Sequence, residues 1–155
     1  MDKTIHIDNS RYVLIDLENV YDLPSNIDQA RAFINDQTKL SIRDNNVYLF
    51  LNMDSKDLTL GIQVVGIPDS MIFDDQDKFY LEDYQEFKVF RSSVGPIDFK
   101  KDEASFLVEL IEKKASELFE SEESWPSVVR LGISNWTTVG KNLEEKLLEV
   151  DFFLD

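Results

Sequence analysis

Short apolar runs separated by polar segments dominate the pattern of this 155-residue chain. Four of these runs, at residues 11–16, 47–51, 87–91 and 127–133, have the length and the apolar content of β-strands. The first run is apolar without alternation, which is typical of a strand that is buried on both faces. The pattern therefore predicts a sheet whose main strands are covered on both sides.

Other segments carry apolar residues at helical spacing. Two predicted helices begin near Ser25 and Asp98, the second running to about residue 120, and a third begins at Thr137 or Thr138. A last strand at residues 150–154 is expected at an edge of the sheet.

The pattern is weaker between residues 52 and 86. Residues 59–67 fit a strand or a short helix, residues 71–73 fit a brief strand, and residues 77–84 fit a helix. No internal repeat is evident. Strands that alternate with helices are typical of parallel sheets with helices on both faces. We therefore predict one domain over residues 1–155, a three-layer α/β/α structure with a mainly parallel sheet of about five strands.

The amino-acid composition excludes several kinds of functional site. The chain has no cysteine, which excludes disulfides, thiolate metal sites and cysteine nucleophiles. Apolar residues make up 43% of the chain, which is ordinary for a globular domain. Because we find neither a signal-peptide pattern at the start nor an apolar run of membrane-spanning length, we expect a cytoplasmic protein without a membrane association.

The charge is strongly negative, since 31 acidic residues face 16 Lys and Arg residues and give a net charge of −15. Such a surface repels phosphate backbones, so RNA binding is disfavoured. Three interpretations stay open: solubility alone, an electrostatic surface for a basic protein partner, and a cation site that gathers several carboxylates. The acidic stretch at residues 69–86 fits a solvated face, and its interleaved aromatic and apolar side chains keep a protein interface open as the alternative.

Polar side chains follow the predicted strands. Asp16 and Asn19 come after the first strand, and Ser134 and Asn135 come after the fourth. In a parallel sheet these positions would meet at one edge, together with Asp102 at the start of the long helix. Carboxylate and amide oxygens are the ligands that Mg²⁺ prefers, and a bound Mg²⁺ activates water for phosphodiester hydrolysis.

The segment at residues 11–20 resembles the opening strand of the NYN/PIN-like nucleases, in which an apolar strand ends in Asp and is followed by Glu-Asn. The resemblance implies a PIN-like fold and a metal-dependent ribonuclease with Asp16 in its acidic set. Two other positions depart from the family pattern, because Ser105 and Asn135 stand where the family has further acids. We therefore expect a degenerate member with at most one weakly held Mg²⁺.

The resulting site prediction has two parts. Asp16 and Asp102 are the candidate catalytic carboxylates and, with Asn135, the candidate Mg²⁺ ligands. The candidate binding residues are Asn19, Ser134, Asn135 and Trp136. Structural alternatives remain for four of these residues: Asp16 as a turn residue, Asn19 as the side chain that orients that turn, Asp102 as a first-turn helix residue, and Trp136 as a half-buried aromatic at the end of the sheet.

Three functions follow from these observations. The first is a degenerate NYN/PIN-like domain that acts mainly as an acidic binding or regulatory protein. The second is a weak Mg²⁺-dependent ribonuclease that uses Asp16 and Asp102. The third is an acidic inhibitor or immunity-type protein that docks on a basic partner. His6, the only histidine of the chain, is expected in a tail or an edge strand.

Overall fold

The computed structural model describes residues 3–19, 22–44, 46–68, 79–97, 103–133 and 146–154. The strands in these ranges are β1 (Lys3–Ile7), β2 (Ser10–Leu17), β3 (Leu40–Ile42), β4 (Val47–Asn52), β5 (Leu58–Gly66), β6 (Tyr80–Tyr84), β7 (Phe87–Ile97), β8 (Val128–Ile133) and β9 (Lys146–Leu154). The helices are α1 (Leu23–Asn35) and α2 (Ala104–Leu118), and a short 3₁₀ turn spans Glu122–Ser124. Neither α-helix is long and apolar enough to cross a lipid bilayer.

All nine strands belong to one sheet with the order β1-β7-β9-β8-β4-β5-β2-β6, and β3 pairs with β5 beside this path. Every pairing in the described ranges is antiparallel. The predicted three-layer α/β/α structure with a mainly parallel sheet of about five strands is therefore wrong.

The error has a topological cause. Strands β2 and β4 flank α1 in sequence and both run antiparallel to β5, so they point the same way with β5 inserted between them. The second half repeats this plan, since β7 and β8 flank α2 and both run antiparallel to β9. Each half thus keeps the strand-helix-strand order of a parallel unit, but the strand that follows fills the gap and makes every neighbour antiparallel.

The two halves meet where β4 pairs with β8, and the first strand of each half pairs with a strand of the other half. Strand β1 precedes β2 in sequence but pairs with β7, and β6 precedes β7 but pairs with β2. The sequence predicted no repeat because the two halves share topology and not an obvious sequence pattern.

The sheet is strongly curled. Strand β6 lies six positions from β7 in the sheet order, about 29 Å across a flat sheet at the usual spacing. Only Gln85 and Glu86 connect these strands, and such a connection reaches at most about 11 Å. The ring of Tyr84 in β6 also lies 6.0 Å from the ring of Phe153 in β9, five positions away. The sheet therefore folds back on itself and encloses one of its faces.

Both helices pack on the outer face of the curl. Their buried stripes contain Leu23, Ile27, Ala30 and Ile34 in α1, and Leu107, Val108, Ile111 and Ala115 in α2. The strands contribute alternate residues such as Val13 and Ile15 to this larger core. The intervening residues form a second, smaller cluster around Tyr12, Leu14 and Phe50 on the enclosed face.

The individual elements have mixed outcomes. The four main predicted strands are confirmed, and residues 59–66 are a strand. Residues 80–84 form strand β6, so the predicted helix is wrong there, and the last strand is not at an edge because β9 lies between β7 and β8. The predicted strand at 71–73, the cap at Asp98 and most of the third helix lie outside the described residues, but its predicted end at Leu147 is in strand β9.

Gly61 tests the enclosed packing. A Cβ at this position would stand 2.8 Å from the Phe50 ring and 2.9 Å from Leu14, and the Phe50 ring is held by Tyr12 and Tyr84. We expect Gly61→Ala to lower the free energy of unfolding by about 1–3 kcal/mol in urea titrations. Gly132→Ala is the matched control, since its Cβ would meet atoms no closer than 3.8 Å. A strand interior gains up to about 1 kcal/mol from Gly→Ala, so equal losses in both variants would contradict the described packing.

Candidate binding site on the curled sheet

Aromatic and charged residues share the enclosed face. Alternation places Tyr12, Leu14 and Asp16 of β2 on this side, and the pairing register aligns them with neighbouring strands. The rings pack against one another across strands: Tyr12 contacts Tyr48, Phe50 and Tyr84 with centroid distances of 5.1–5.7 Å. Phe87 and Phe153 stack at 4.4 Å on the other half. The enclosed face is therefore an aromatic surface contributed by both repeats.

A buried ion network lies within this surface. Arg130 of β8 is 3% exposed and Asp151 of β9 is 2% exposed. The Nη2 and Nε groups of Arg130 donate hydrogen bonds of 2.8 Å and 3.2 Å to Oδ2 of Asp151, and its Nη1 donates one of 2.8 Å to the Tyr12 hydroxyl. Arg91 binds the same carboxylate with bonds of 2.7 Å and 3.0 Å. Asp151 is thus shared between two guanidinium groups.

The Arg130 guanidinium also lies over aromatic rings, 4.5 Å from the Tyr48 centroid and 5.8 Å from the Phe87 centroid. Such distances fall within the range of cation–π attraction. Burial works to lower the pKa of Arg130, but the oxygen of Tyr12 and the carboxylate of Asp151 outweigh burial and raise this pKa. The network therefore holds a charged arginine inside the protein.

Asp16 stands at the rim of the same face. The Tyr80 hydroxyl donates a hydrogen bond of 3.3 Å to Asp16 Oδ1, and the Tyr80 side chain remains exposed. Burial raises the pKa of Tyr80, and the Asp16 carboxylate adds to this rise. Further along β6, burial and then the Glu82 carboxylate raise the pKa of Tyr84. The rim thus pairs carboxylates with tyrosines.

Two open clefts meet at Asp16. One, of about 490 Å³, is lined by Asp16, Glu18, Asp22 and Asn26. The other, of about 460 Å³, is lined by Asp16, Glu18, Lys56 and Asp57 among others. Lys56 itself pairs with Glu112 at 3.4 Å. Among the described residues that line the two clefts, carboxylates therefore outnumber cations.

The predicted site residues are only partly placed. Asp16 lies at the junction of the two clefts, and the backbone oxygen of Asn19 accepts a hydrogen bond from the Asp22 amide in the turn before α1. Asp102, Ser134, Asn135 and Trp136 lie outside the described residues. Whether they join Asp16 around a Mg²⁺ ion stays a prediction.

One other group of potential metal ligands occurs in the described ranges. His6, Asp8 and Glu86 have ligand atoms within 4.8 Å of one another, and all three are exposed. His6 Nε2 lies 3.1 Å from a Glu86 oxygen, which links β1 to the turn between β6 and β7. The prediction of an edge position for His6 is confirmed, because β1 ends the sheet order.

The sequence interpretation missed Arg130 and Asp151. Arg130 is the single charged residue of its strand, at Val-Val-Arg-Leu-Gly-Ile, and Asp151 stands between apolar neighbours, at Val-Asp-Phe-Phe. Opposite charges at isolated positions in two buried strands indicate a partnership, because a buried charge needs a counter-charge. That signal was available without the structure.

Comparison with known proteins shows the fold. No protein-family model matches the sequence, and no curated protein matches it. Among solved structures, EcmrR in the EcmrR-DNA complex of EcmrR-RPo superposes with a TM-score of 0.60 at 11% identity, over 98% of this chain and 56% of the EcmrR chain. The chain thus spans little more than half of that protein. The separate C-terminal domain of EcmrR gives a TM-score of 0.55 at 11% identity and covers 100% of this chain and 97% of that domain.

Two further structures agree. SAV2435 bound to tetraphenylphosphonium has a TM-score of 0.53 at 9% identity, over 100% of this chain and 94% of its own. A putative transcription regulation protein from Staphylococcus aureus MU50 has a TM-score of 0.51 at 11% identity, over 99% of this chain and 97% of its own. The fold therefore resembles domains of transcription regulators, and the PIN-like, nuclease-like description is corrected. Regulator domains are compatible with a binding partner but do not single out a basic protein.

Asp151 tests the ion network. Asp151→Asn removes the carboxylate that two arginines share and leaves Arg130 buried without its counter-charge. We expect a loss of about 3–5 kcal/mol in the free energy of unfolding, measured in urea. Asp83→Asn is the matched control, since the Asp83–Arg11 pair is partly exposed and such pairs contribute about 0–1 kcal/mol. Similar losses in both variants would show that the buried network has no special role.

The raised pKa of Tyr84 predicts that the free energy of unfolding falls at alkaline pH. Its raised pKa means that the folded state keeps the phenol proton after the unfolded chain loses it at about pH 10. The stabilisation is fully present below about pH 10 and is lost as the pH rises through the folded value, with a slope of up to ~1.4 kcal/mol per pH unit. Tyr84→Phe should reduce this slope in urea titrations between pH 9 and 11. An unchanged slope would mean that Tyr84 ionises alike in both states.

Proposed function

We propose that this chain is a non-catalytic binding domain of regulatory type and that it takes an organic cation at the acidic clefts around Asp16. The observation that carries the proposal is the junction of two carboxylate-lined clefts at Asp16, whose carboxylate accepts a hydrogen bond from the hydroxyl of the exposed Tyr80. Carboxylates attract a cation, and an aromatic ring adds cation–π attraction and apolar contact.

The charge of the whole chain supports this choice. A net charge of −15 concentrates cations near the surface and repels anionic ligands and nucleic acid. The local balance has the same sign, since Lys56 in the second cleft is already paired with Glu112. A cationic ligand therefore meets favourable electrostatics at long and short range.

The solved neighbours give independent support. Their fold occurs in transcription regulators, and SAV2435 is known in complex with tetraphenylphosphonium, a lipophilic organic cation. At 9–11% identity the likeness concerns the fold alone. The ligand class for this chain rests on its own carboxylates and rings.

Two other hypotheses from the sequence, a Mg²⁺ site and a basic protein partner, make separate predictions for the same surface. A Mg²⁺ ion at Asp16 would use the same carboxylate and compete directly with an organic cation. A basic protein partner would meet the acidic stretch at residues 69–86, of which Asp83 is already engaged by Arg11 and Glu86 by His6. Each predicts a different competitor in one binding experiment.

The experiment is calorimetric titration of the chain with tetraphenylphosphonium at low ionic strength. We expect saturable binding that Asp16→Asn weakens by about fivefold, because the loss of one exposed carboxylate near a cation costs on the order of 1 kcal/mol. Asp8→Asn is the matched control. It changes the net charge equally but precedes the far end of β2, where Ser10 lies about 20 Å along the strand from Asp16.

Three outcomes would contradict the proposal. Absence of saturable binding would remove it, and equal weakening in both variants would reduce it to nonspecific charge attraction. Saturable Mg²⁺ binding that depends on Asp16, with no response to tetraphenylphosphonium, would favour the metal site instead.

A further inference from the structure

We infer that the inside of the curled sheet is a binding cage for a planar organic cation of the guanidinium class, that Arg130 occupies this cage, and that Arg130 thereby confines external cations to the rim. Only the last part rests on the proposed function. The cage and its occupant follow from the geometry of the buried network.

The guanidinium of Arg130 makes the hydrogen bonds and ring contacts that a bound planar cation would make. All three of its nitrogens donate hydrogen bonds, two to Asp151 and one to the Tyr12 hydroxyl. The ring of Tyr48 covers it at 4.5 Å, and Phe87 lies at 5.8 Å. A carboxylate with aromatic walls is the chemistry that recognises flat organic cations.

Asp151 does not depend on Arg130 alone for a counter-charge. Arg91, the cross-strand partner of Asp151 in β7, donates two hydrogen bonds to that carboxylate and also lies 3.7 Å from Glu149. Removal of the Arg130 side chain therefore leaves Asp151 with a counter-charge. We expect Arg130→Ala to fold with an empty cage, whereas loss of Asp151 would leave a buried cation unpaired.

The same occupant explains where an external cation is able to bind. Tyr12, Phe50 and Arg130 are buried, and their packing fills the interior. Asp16 and Tyr80 continue the same face but are exposed. Arg130 is thus a specificity-determining residue: it reserves the interior for its own side chain and leaves the rim to ligands.

The test is chemical rescue. Arg130→Ala removes the atoms of ethylguanidinium, so this compound is the probe. Ethylguanidinium chloride should raise the Tm of Arg130→Ala saturably, by about 3–6 °C at ten times its Kd, and this rise should exceed that of the wild type, in which only the rim is open to the probe. Ethylurea, a neutral probe of the same shape, and sodium chloride at equal ionic strength should give none in either protein.

Arg91→Ala is the matched control variant. It removes an arginine bound to the same carboxylate, but one whose side chain is 22% exposed, against 4% for Arg130. A rise of equal size in Arg91→Ala, an equal response to ethylurea, or no response in folded Arg130→Ala would overturn the inference.

A second variant covers a failure of Arg130→Ala to fold. Arg130→Lys keeps the charge but loses the planar fork, so a cage for guanidinium predicts a Tm several degrees below that of the wild type. An unchanged Tm in Arg130→Lys would show that any cation suffices and would overturn the inference.

The rescue is independent of the rim. Its appearance in the double variant Asp16→Asn, Arg130→Ala would separate the cage from the proposed function. If the wild type binds no tetraphenylphosphonium but the rescue appears, the cage stands and the rim proposal falls. If the wild type binds and the rescue is absent, the rim stands and the cage falls.

Discussion

The packing of aromatic rings across the curled sheet is the interaction on which the rest of the structure depends. The ring of Tyr84 in the edge strand β6 lies 5.4 Å from the ring of Phe50 in β4 and 6.0 Å from the ring of Phe153 in β9. A flat sheet would hold these three strands far apart. Both helices cover the outer face of the sheet, so these ring contacts are what buries its inner face. Gly61 permits them, because any side chain there would meet Phe50 and Leu14. The curl in turn brings the Tyr12 hydroxyl and the Tyr48 ring of the first repeat onto the charged residues of the second.

The buried charges are tolerated only because of this enclosure. Arg130 lies where a curled sheet offers it a carboxylate from β9, a hydroxyl from β2 and a ring from β4. A guanidinium moved out of water needs acceptors for its donors, and here they come from two strands, β9 and β2. The network therefore ties the two repeats together at their join, where β4 pairs with β8 and β8 with β9.

Local patterns were sufficient to predict elements but not their direction. The strands at 11–16, 47–51 and 87–91 and the helical stripes of α1 and α2 follow from apolar spacing, which acts over a few residues. The first strand was interpreted as central and parallel because both of its faces are apolar. That inference assumed that only helices cover a second face. Here the covering material is the other half of the same sheet, through Tyr12 and its partners, which no local pattern encodes.

The site was predictable to the same limited extent. Asp16 was identified because it ends a buried strand, and strand ends remain the place where clefts open even when the sheet is antiparallel. Its expected companions were chosen for a parallel edge and therefore give no guidance in this topology. The residues that do share its face, Tyr80 and Glu82, belong to a strand that had been interpreted as a helix. A face of the sheet, and not an edge, is thus the unit from which the chemistry of this chain follows: its interior is closed by an arginine, and its rim is left acidic and aromatic.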